Sequence, residues 1–291
     1  MPFRGSKAAS GTMTQTQALA RFVRAHPRLL VLTGAGVSTA SGIPDYRDVE
    51  GQWKRTPPLS HQEFLRSELA RRRYWARSLI GWPRVAAARP NAAHRALARL
   101  ESAGCVHTLL TQNVDGLHQR AGSRGVIELH GSLERVLCLD CGEVLPRAAV
   151  QRILEAQNPA FLSLPAGLAP DGDADVALAD LDDFRVPECL RCGGLLKPDV
   201  VFFGAGVPPA RVDAALQALA SADALLVVGS SLMVYSGYRF CLAAREMGKP
   251  VAAINLGRTR ADELLQLKIV APCAVVLAEL ARALFQARAE L

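Results

Sequence analysis

An apolar run, Leu29 to Leu32, passes directly into Thr33-Gly34-Ala35-Gly36, and this junction restricts the possible folds of the chain more than any other feature. Gly34 and Gly36 let the backbone turn tightly and approach a phosphate, and a helix starting after them would offer unpaired N–H groups and a positive dipole end to the anion. The spacing departs from the dehydrogenase fingerprint, because Thr39 stands where a third glycine would be required. Taken alone, the glycine pair serves equally well as a structural turn. Its continuation, Ser41 to Arg47, adds a proline-stiffened turn carrying an acid, an aromatic ring and a guanidinium, which is more chemistry than a turn needs.

Further short apolar segments read as buried, mostly parallel strands: Val106 to Thr111, Val126 to Leu129, Asp199 to Phe203, Ala224 to Gly229, Val251 to Asn255 and Ala274 to Leu277. Helical stretches at Arg211 to Ala220, Tyr238 to Met247 and Leu277 to Arg288 separate several of them, so the fold class is α/β with a doubly wound, mostly parallel sheet. Ligands bind such sheets at the carboxyl ends of strands, where Thr33 to Arg47, Gln112 to Asp115, His130, Gly229 to Ser231 and Asn255 to Gly257 all begin. Two segments leave the alternation and are expected to form a smaller lobe: a helical module at 51–100 and a metal-bearing module at 133–198. The large domain is then discontinuous, with parts at 18–50, 101–132 and 199–291, and 1–17 reads as a disordered leader.

Of seven cysteines, Cys138/Cys141 and Cys189/Cys192 form two Cys-x-x-Cys pairs, each followed by glycine. This is the spacing of a four-thiolate zinc ribbon, and a site with four protein ligands leaves no position for a catalytic water, so the metal is structural. A pair of disulfides is the rival reading, disfavoured by the leftover Cys105, Cys241 and Cys273. The long spacer, with its acidic run Asp171 to Asp183, reads as a partly helical insertion with a mobile surface loop.

A net charge of +7 raises nucleic-acid binding, but the basic residues are scattered, and Arg71-Arg72-Arg73 reads as a solvated helix face. The two knuckles are flanked mainly by Leu137, Leu139, Asp140, Glu143, Glu188 and Leu190, which also disfavours nucleic acid. No apolar stretch approaches the ~20 residues of a membrane span, and the first residues carry no hydrophobic signal core. A cytoplasmic monomer is expected, with the mitochondrial matrix as the alternative for a eukaryotic source.

Six ordered blocks resemble the sirtuins, the NAD-dependent protein lysine deacylases: Thr33 to Arg47, Thr111 to His118, Glu128 to Gly131, Lys197 to Gly204, Gly229 to Leu232 and Ile254 to Gly257. Tyr74 to Arg77, Arg135 to Gly142 and Val234 to Arg239 look closest to the class II branch, which has deacylase, lipoamidase and ADP-ribosyltransferase members. The resemblance implies a Rossmann-like NAD-binding domain and NAD consumed as a co-substrate. Nicotinamide leaves, the acyl group of an acylated-lysine protein ends on ADP-ribose, and no hydride moves.

The same resemblance implies roles. His130 becomes the general base for a ribose hydroxyl, while His118 looks structural. Asn113 and Asp115, two apart at a strand end, form the nicotinamide pocket with Ile43 and Asp45, beside Gln112 and Val114. Ala35, Ser38, Pro44, Tyr46 and Arg47 belong to the cofactor loop. Gly229, Ser230 and Ser231 form a second small-residue loop, with Asn255, Leu256 and Gly257 at the adenosine ribose and Cys273 at the adenine. Val200, Val201, Phe202, Phe203 and Gly204 pair with the substrate peptide as an added strand. A Tyr-x-x-Arg pair binds acyl carboxylates in sirtuins that remove acidic groups, and Tyr74 and Arg77 match it, although both also fit an ordinary helix. Bulky or acidic acyl groups are therefore expected over acetyl, with protein mono-ADP-ribosyl transfer at the same NAD site as the alternative.

Overall fold

The computed structural model describes residues 14–54, 58–162, 167–168, 174–175 and 181–289. Its strands are β1 (Leu29–Thr33), β2 (Val106–Thr111), β3 (Val126–Glu128), β4 (Gly131–Cys138), β5 (Val144–Pro146), β6 (Gly167–Leu168), β7 (Ala174–Asp175), β8 (Leu196–Val200), β9 (Ala224–Val228), β10 (Val251–Ile254) and β11 (Leu267–Ile269). The helices are α1 (Gln15–Ala25), α2 (His61–Arg66), α3 (Glu68–Ala87), α4 (Ala92–Ser102), α5 (Leu117–Arg120), α6 (Arg147–Gln157), α7 (Pro209–Ser221), α8 (Tyr235–Glu246) and α9 (Cys273–Ala289).

A six-stranded sheet in the order β11-β10-β9-β1-β2-β3 has every pair parallel. Alternate residues of each central strand enter opposite layers. Leu29 and Val31 meet α1, α4 and α9 on one face, while Leu30 and Leu32 meet α7 and α8 on the other. Burial on both faces explains why β1 and β9 read as unbroken apolar runs.

A second sheet, β5-β4-β8, is antiparallel and packs with α2, α3 and α6 around Phe64, Trp75, Val136, Leu154 and Phe184. The two lobes meet at Ile43, Val85, Leu117 and Leu133.

Several sequence expectations are corrected here. The segment Asp199 to Phe203 is not a strand of the large sheet. Strand β8 ends at Val200 and pairs with β4, because the chain must return beside β4 for the two knuckles to meet. Ala274 to Leu277 is helix, since Val276, Leu277, Leu280 and Ala281 bury one face of α9. The last parallel strand is instead Leu267–Ile269. Helix α4, placed by sequence in the small lobe, buries Ala93, Ala96, Leu97 and Leu100 in the core of the large sheet. Of the expected leader, residues 1–13 lie outside the described residues. Thr14 accepts a hydrogen bond from Gln17 N–H at 3.2 Å and caps α1, so residues 14–17 belong to the fold. The run 171–183 falls largely outside the described residues too. On the expected solvated face of α3, Arg73 is exposed, Arg71 donates to the Phe64 and Leu65 carbonyls, and Arg72 pairs with the exposed Glu68.

Candidate active site and metal centre

Strands β1 and β9 are neighbours, and the loops leaving their carboxyl ends interlock. Gly34 N–H donates to Val228 O at 3.1 Å, Gly36 N–H to Gly229 O at 2.9 Å, and Gly229 N–H to Ile254 O at 2.9 Å. Gly229 has φ 60°, and a Cβ there would lie 2.6 Å from Val37 N, so a side chain is barred by both conformation and contact. The expected helix start after Gly34 is replaced by two single 3₁₀ turns, Ala35–Val37 and Thr39–Ser41, which carry little dipole.

Above this junction lies a cleft of 1180 Å³, lined by every residue that the sequence assigned to cofactor, base, peptide or acyl group. Its floor is a polar network. Gln112 donates to Ser230 Oγ at 2.8 Å, and Asn113 Nδ2 donates to Gly34 O and to Ser38 Oγ, each at 3.1 Å. Ser38 donates to Asp115 Oδ2 at 2.7 Å, while Asp115 Oδ1 accepts Leu117 N–H at 2.9 Å across the turn that leads into α5. Burial pushes the Asp115 carboxyl above its usual range, against the lowering effect of the Ser38 hydroxyl. Behind Ser38, the buried rings of His94 and His118 lie 4.8 Å apart, and His118 Nε2 is 2.9 Å from Thr33 Oγ1.

The loop from Pro44 to Lys54 covers one side of the cleft. Arg47 stacks on Trp53 at 4.0 Å and donates to Gly51 O at 2.8 Å, while Asp45 pairs with Lys54. Farther along, Asn255 donates to Gly257 O at 3.1 Å and the Cys273 thiol to Gly36 O at 3.2 Å. The segment after Val200 is a tied loop rather than a free edge: Val201 N–H donates to His130 O and His61 N–H to Phe203 O, both at 2.8 Å. Tyr74 is buried against Phe64, Trp75 and Phe202, with Arg77 one turn along α3 on the same cleft.

His130 sits where β3 gives way to β4. Its Nδ1 is 3.0 Å from Gln112 O and its Nε2 is 2.8 Å from Ser236 Oγ. Desolvation, aided by the Arg211 charge, lowers its pKa to about 4 despite the opposing Gln112 hydrogen bond, so the imidazole is neutral at pH 7.

In the small lobe the four sulfurs of Cys138, Cys141, Cys189 and Cys192 lie within 4.8 Å of one another. Cys138 and Cys192 are 3.6 Å apart and Cys141 and Cys189 are 3.8 Å apart. Zinc–sulfur bonds of ~2.3 Å in tetrahedral geometry require sulfurs about 3.8 Å apart, so the set fits one zinc ion with no disulfide. Gly142 and Gly193 N–H groups donate back to the Cys138 and Cys189 carbonyls, folding each knuckle.

A profile of the Sir2 family matches residues 34–236. The chain belongs to the Sir2 family. An "NAD-dependent protein deacetylase" of Bordetella bronchiseptica is 60% identical over 267 residues, covering 92% of this chain and 97% of the relative. The "NAD-dependent protein lipoamidase sirtuin-4, mitochondrial" of Bos taurus is 52% identical over 262 residues, covering 89% and 83%. The solved structure "Sir2-p53 peptide-NAD+" superposes with a TM-score of 0.74 at 29% identity, over 96% of this chain and all of that one.

For this Sir2 chain, the interlocked glycine loops and the polar floor fit NAD, and the thiol cluster fits one structural zinc. Among the described residues no helix is long and apolar enough to cross a membrane. Ser236, which contacts His130 from the first turn of α8, escaped the sequence reading, and Trp53, readable with Trp75 and Trp82 as lining for an apolar acyl channel, instead supports Arg47. Ser236 lies inside the block Val234 to Arg239, so position in a motif was its only signal.

Proposed function

We propose that this chain, an NAD-dependent protein deacylase of the Sir2 family, is a class II-type member that prefers bulky or acidic acyl-lysines over acetyl-lysine. The observation that carries the reading is the placement of Tyr74 and Arg77 in the same cleft as His130, with the Tyr74 ring 5.3 Å from Phe202. An aromatic wall ending in a guanidinium suits a long acyl chain with a terminal carboxylate, because a planar fork can bind both oxygens. The resemblance to a lipoamidase supports the bulky end of this range.

In this reading NAD lies along the carboxyl ends of β1, β9 and β10. Asn113, Asp115, Ile43 and Asp45 receive the nicotinamide, Ser38 and Arg47 the adjoining ribose and phosphates, Ser230, Ser231 and Asn255 the adenosine ribose, and Cys273 the adenine. The acyl-lysine enters between the loop Val200 to Gly204 and α3, and His130 is the base for the ribose hydroxyl. Neutral imidazole is the form able to act as one.

The test is a panel of one peptide bearing acetyl, glutaryl, methylglutaryl or lipoyl lysine, scored by kcat/KM and by mass of the acyl-ADP-ribose product. Glutaryl-type or lipoyl groups should exceed acetyl; acetyl as the fastest substrate overturns the preference. Nicotinamide release with ADP-ribose on an unacylated protein would instead favour the transferase alternative.

A further inference from the structure

The His130 contacts fix its tautomer. A carbonyl oxygen only accepts, so Nδ1, 3.0 Å from Gln112 O, carries the ring proton. Nε2 then bears the lone pair, and the Ser236 hydroxyl at 2.8 Å donates to it. An imidazole nitrogen has one in-plane lone pair, so in this arrangement Ser236 already occupies the position at which a ribose hydroxyl would have to arrive.

The placement of Ser236 is built into the fold. It lies in the first turn of α8, whose start is pressed against the residue that anchors the other ring nitrogen: a Cβ on Gly237 would come 2.5 Å from Gln112 Oε1. Gln112 therefore touches His130 through its carbonyl and the start of α8 through its side chain. Ser236 and His130 line the same cleft and Ser236 is only half-buried, so a ligand in that cleft can reach the serine.

We propose that Ser236 relays the proton between the ribose hydroxyl and His130, an inference that rests on His130 being the base. In the step, the hydroxyl proton passes to Ser236 Oγ as the Ser236 proton passes to Nε2. The ribose O–H bond and the Ser236 O–H bond break, a new O–H bond forms at Ser236 and an N–H bond forms at Nε2. The ribose oxygen is left as alkoxide, the imidazole as imidazolium, and the serine unchanged. Because Ser236 touches the substrate hydroxyl, it is a catalytic residue in this scheme.

The variants Ser236→Ala, Ser236→Thr and His130→Ala separate the possibilities. With a saturating acyl-lysine peptide, Ser236→Ala should lower kcat by about 10- to 100-fold with an unchanged KM for NAD, and Ser236→Thr should restore most of the rate. A serine hydroxyl can donate to the neutral ring and accept from the imidazolium, so Ser236→Ala is read in kcat and in its rescue by threonine. The charge facing the ring is the Arg211 guanidinium on α7, held at 2.8 Å by Asp199 on β8, and it is untouched by this change. An unchanged or faster Ser236→Ala enzyme would mean that the substrate simply displaces the serine, and the relay would be wrong. Turnover surviving in His130→Ala would remove the base itself, a different failure. A drop in Ser236→Ala shared equally by Ser236→Thr would show a structural role only and also overturn the relay.

Discussion

Arg77 brings a guanidinium to the cleft wall formed by α3, one helical turn beyond the buried Tyr74 ring, with Arg73 also on that wall. Arg77→Met keeps the aliphatic stem and removes the charge. Turnover of a glutaryl-type acyl-lysine should then lose about 1.5 to 3 kcal/mol of transition-state binding, the range for a charge-assisted hydrogen bond. A neutral acyl chain should be turned over almost as before, and equal losses in kcat/KM on the two substrates would mean that Arg77 only supports α3. Single residues of this kind were readable because they stand in blocks with fixed spacing. Asn113 and Asp115 were legible as a same-side pair at a strand end, but not the further use of Asp115 to hold the Leu117 N–H at 2.9 Å in the turn before α5. Arg47 was legible as a cofactor-loop cation, whereas its stacking on Trp53 depends on a loop closure that no local pattern announces.

At the level of elements, the knuckles set the shape of the small lobe. Cys138 ends β4 and Cys189 precedes β8, so the metal site closes the end of a ladder whose two strands are separated in sequence by a long spacer. Cys138→Ser or Cys189→Ser should release about one zinc per chain and lower the melting temperature, since metal binding and local folding share their free energy. Elemental analysis beside thermal unfolding checks this, and a folded wild-type protein without zinc would contradict it. Central strands were legible because burial on both faces makes them continuous apolar runs. The edge strand Leu267–Ile269 was not, because it is short and carries Lys268, whose ammonium pairs with Asp262 at 2.7 Å. The start of α9 was misread for the opposite reason. Its Val275-Val276 pair has strand-like character, and only the spacing of the later buried Leu280 and Leu284 reveals a helix face.

Across the whole molecule, the packed pair His94 and His118 ties stability to pH. Burial lowers His94 to about 4, with Arg95 and Arg120 adding to the effect, and lowers His118 to about 3 with His94 adding. The folded pKa values lie below the unfolded value of ~6.5, so stability is full above that pH and falls as pH drops toward 4, where the unfolded chain holds protons the folded one refuses. Each imidazole should contribute a slope approaching about 1.4 kcal/mol per pH unit in that window. Urea unfolding at a series of pH values checks this, and His94→Gln should flatten the slope; an unchanged slope would show that the ring is protonated in the folded state. Another property follows from the seam at His130 and Val201. The excursion through β4, the thiol knuckles and β8 departs at one of these residues and comes back at the other, and the two are joined by a single 2.8 Å hydrogen bond. Leu133 N–H to Val114 O and the Arg211–Asp199 pair, each at 2.8 Å, hold the base of the excursion to the large lobe, so insertions and deletions beyond them, toward the knuckles, need not disturb the register of β1, β2 and β9. Descendants of this sequence are therefore free to remodel the outer end of the small lobe while inheriting the nucleotide crevice intact.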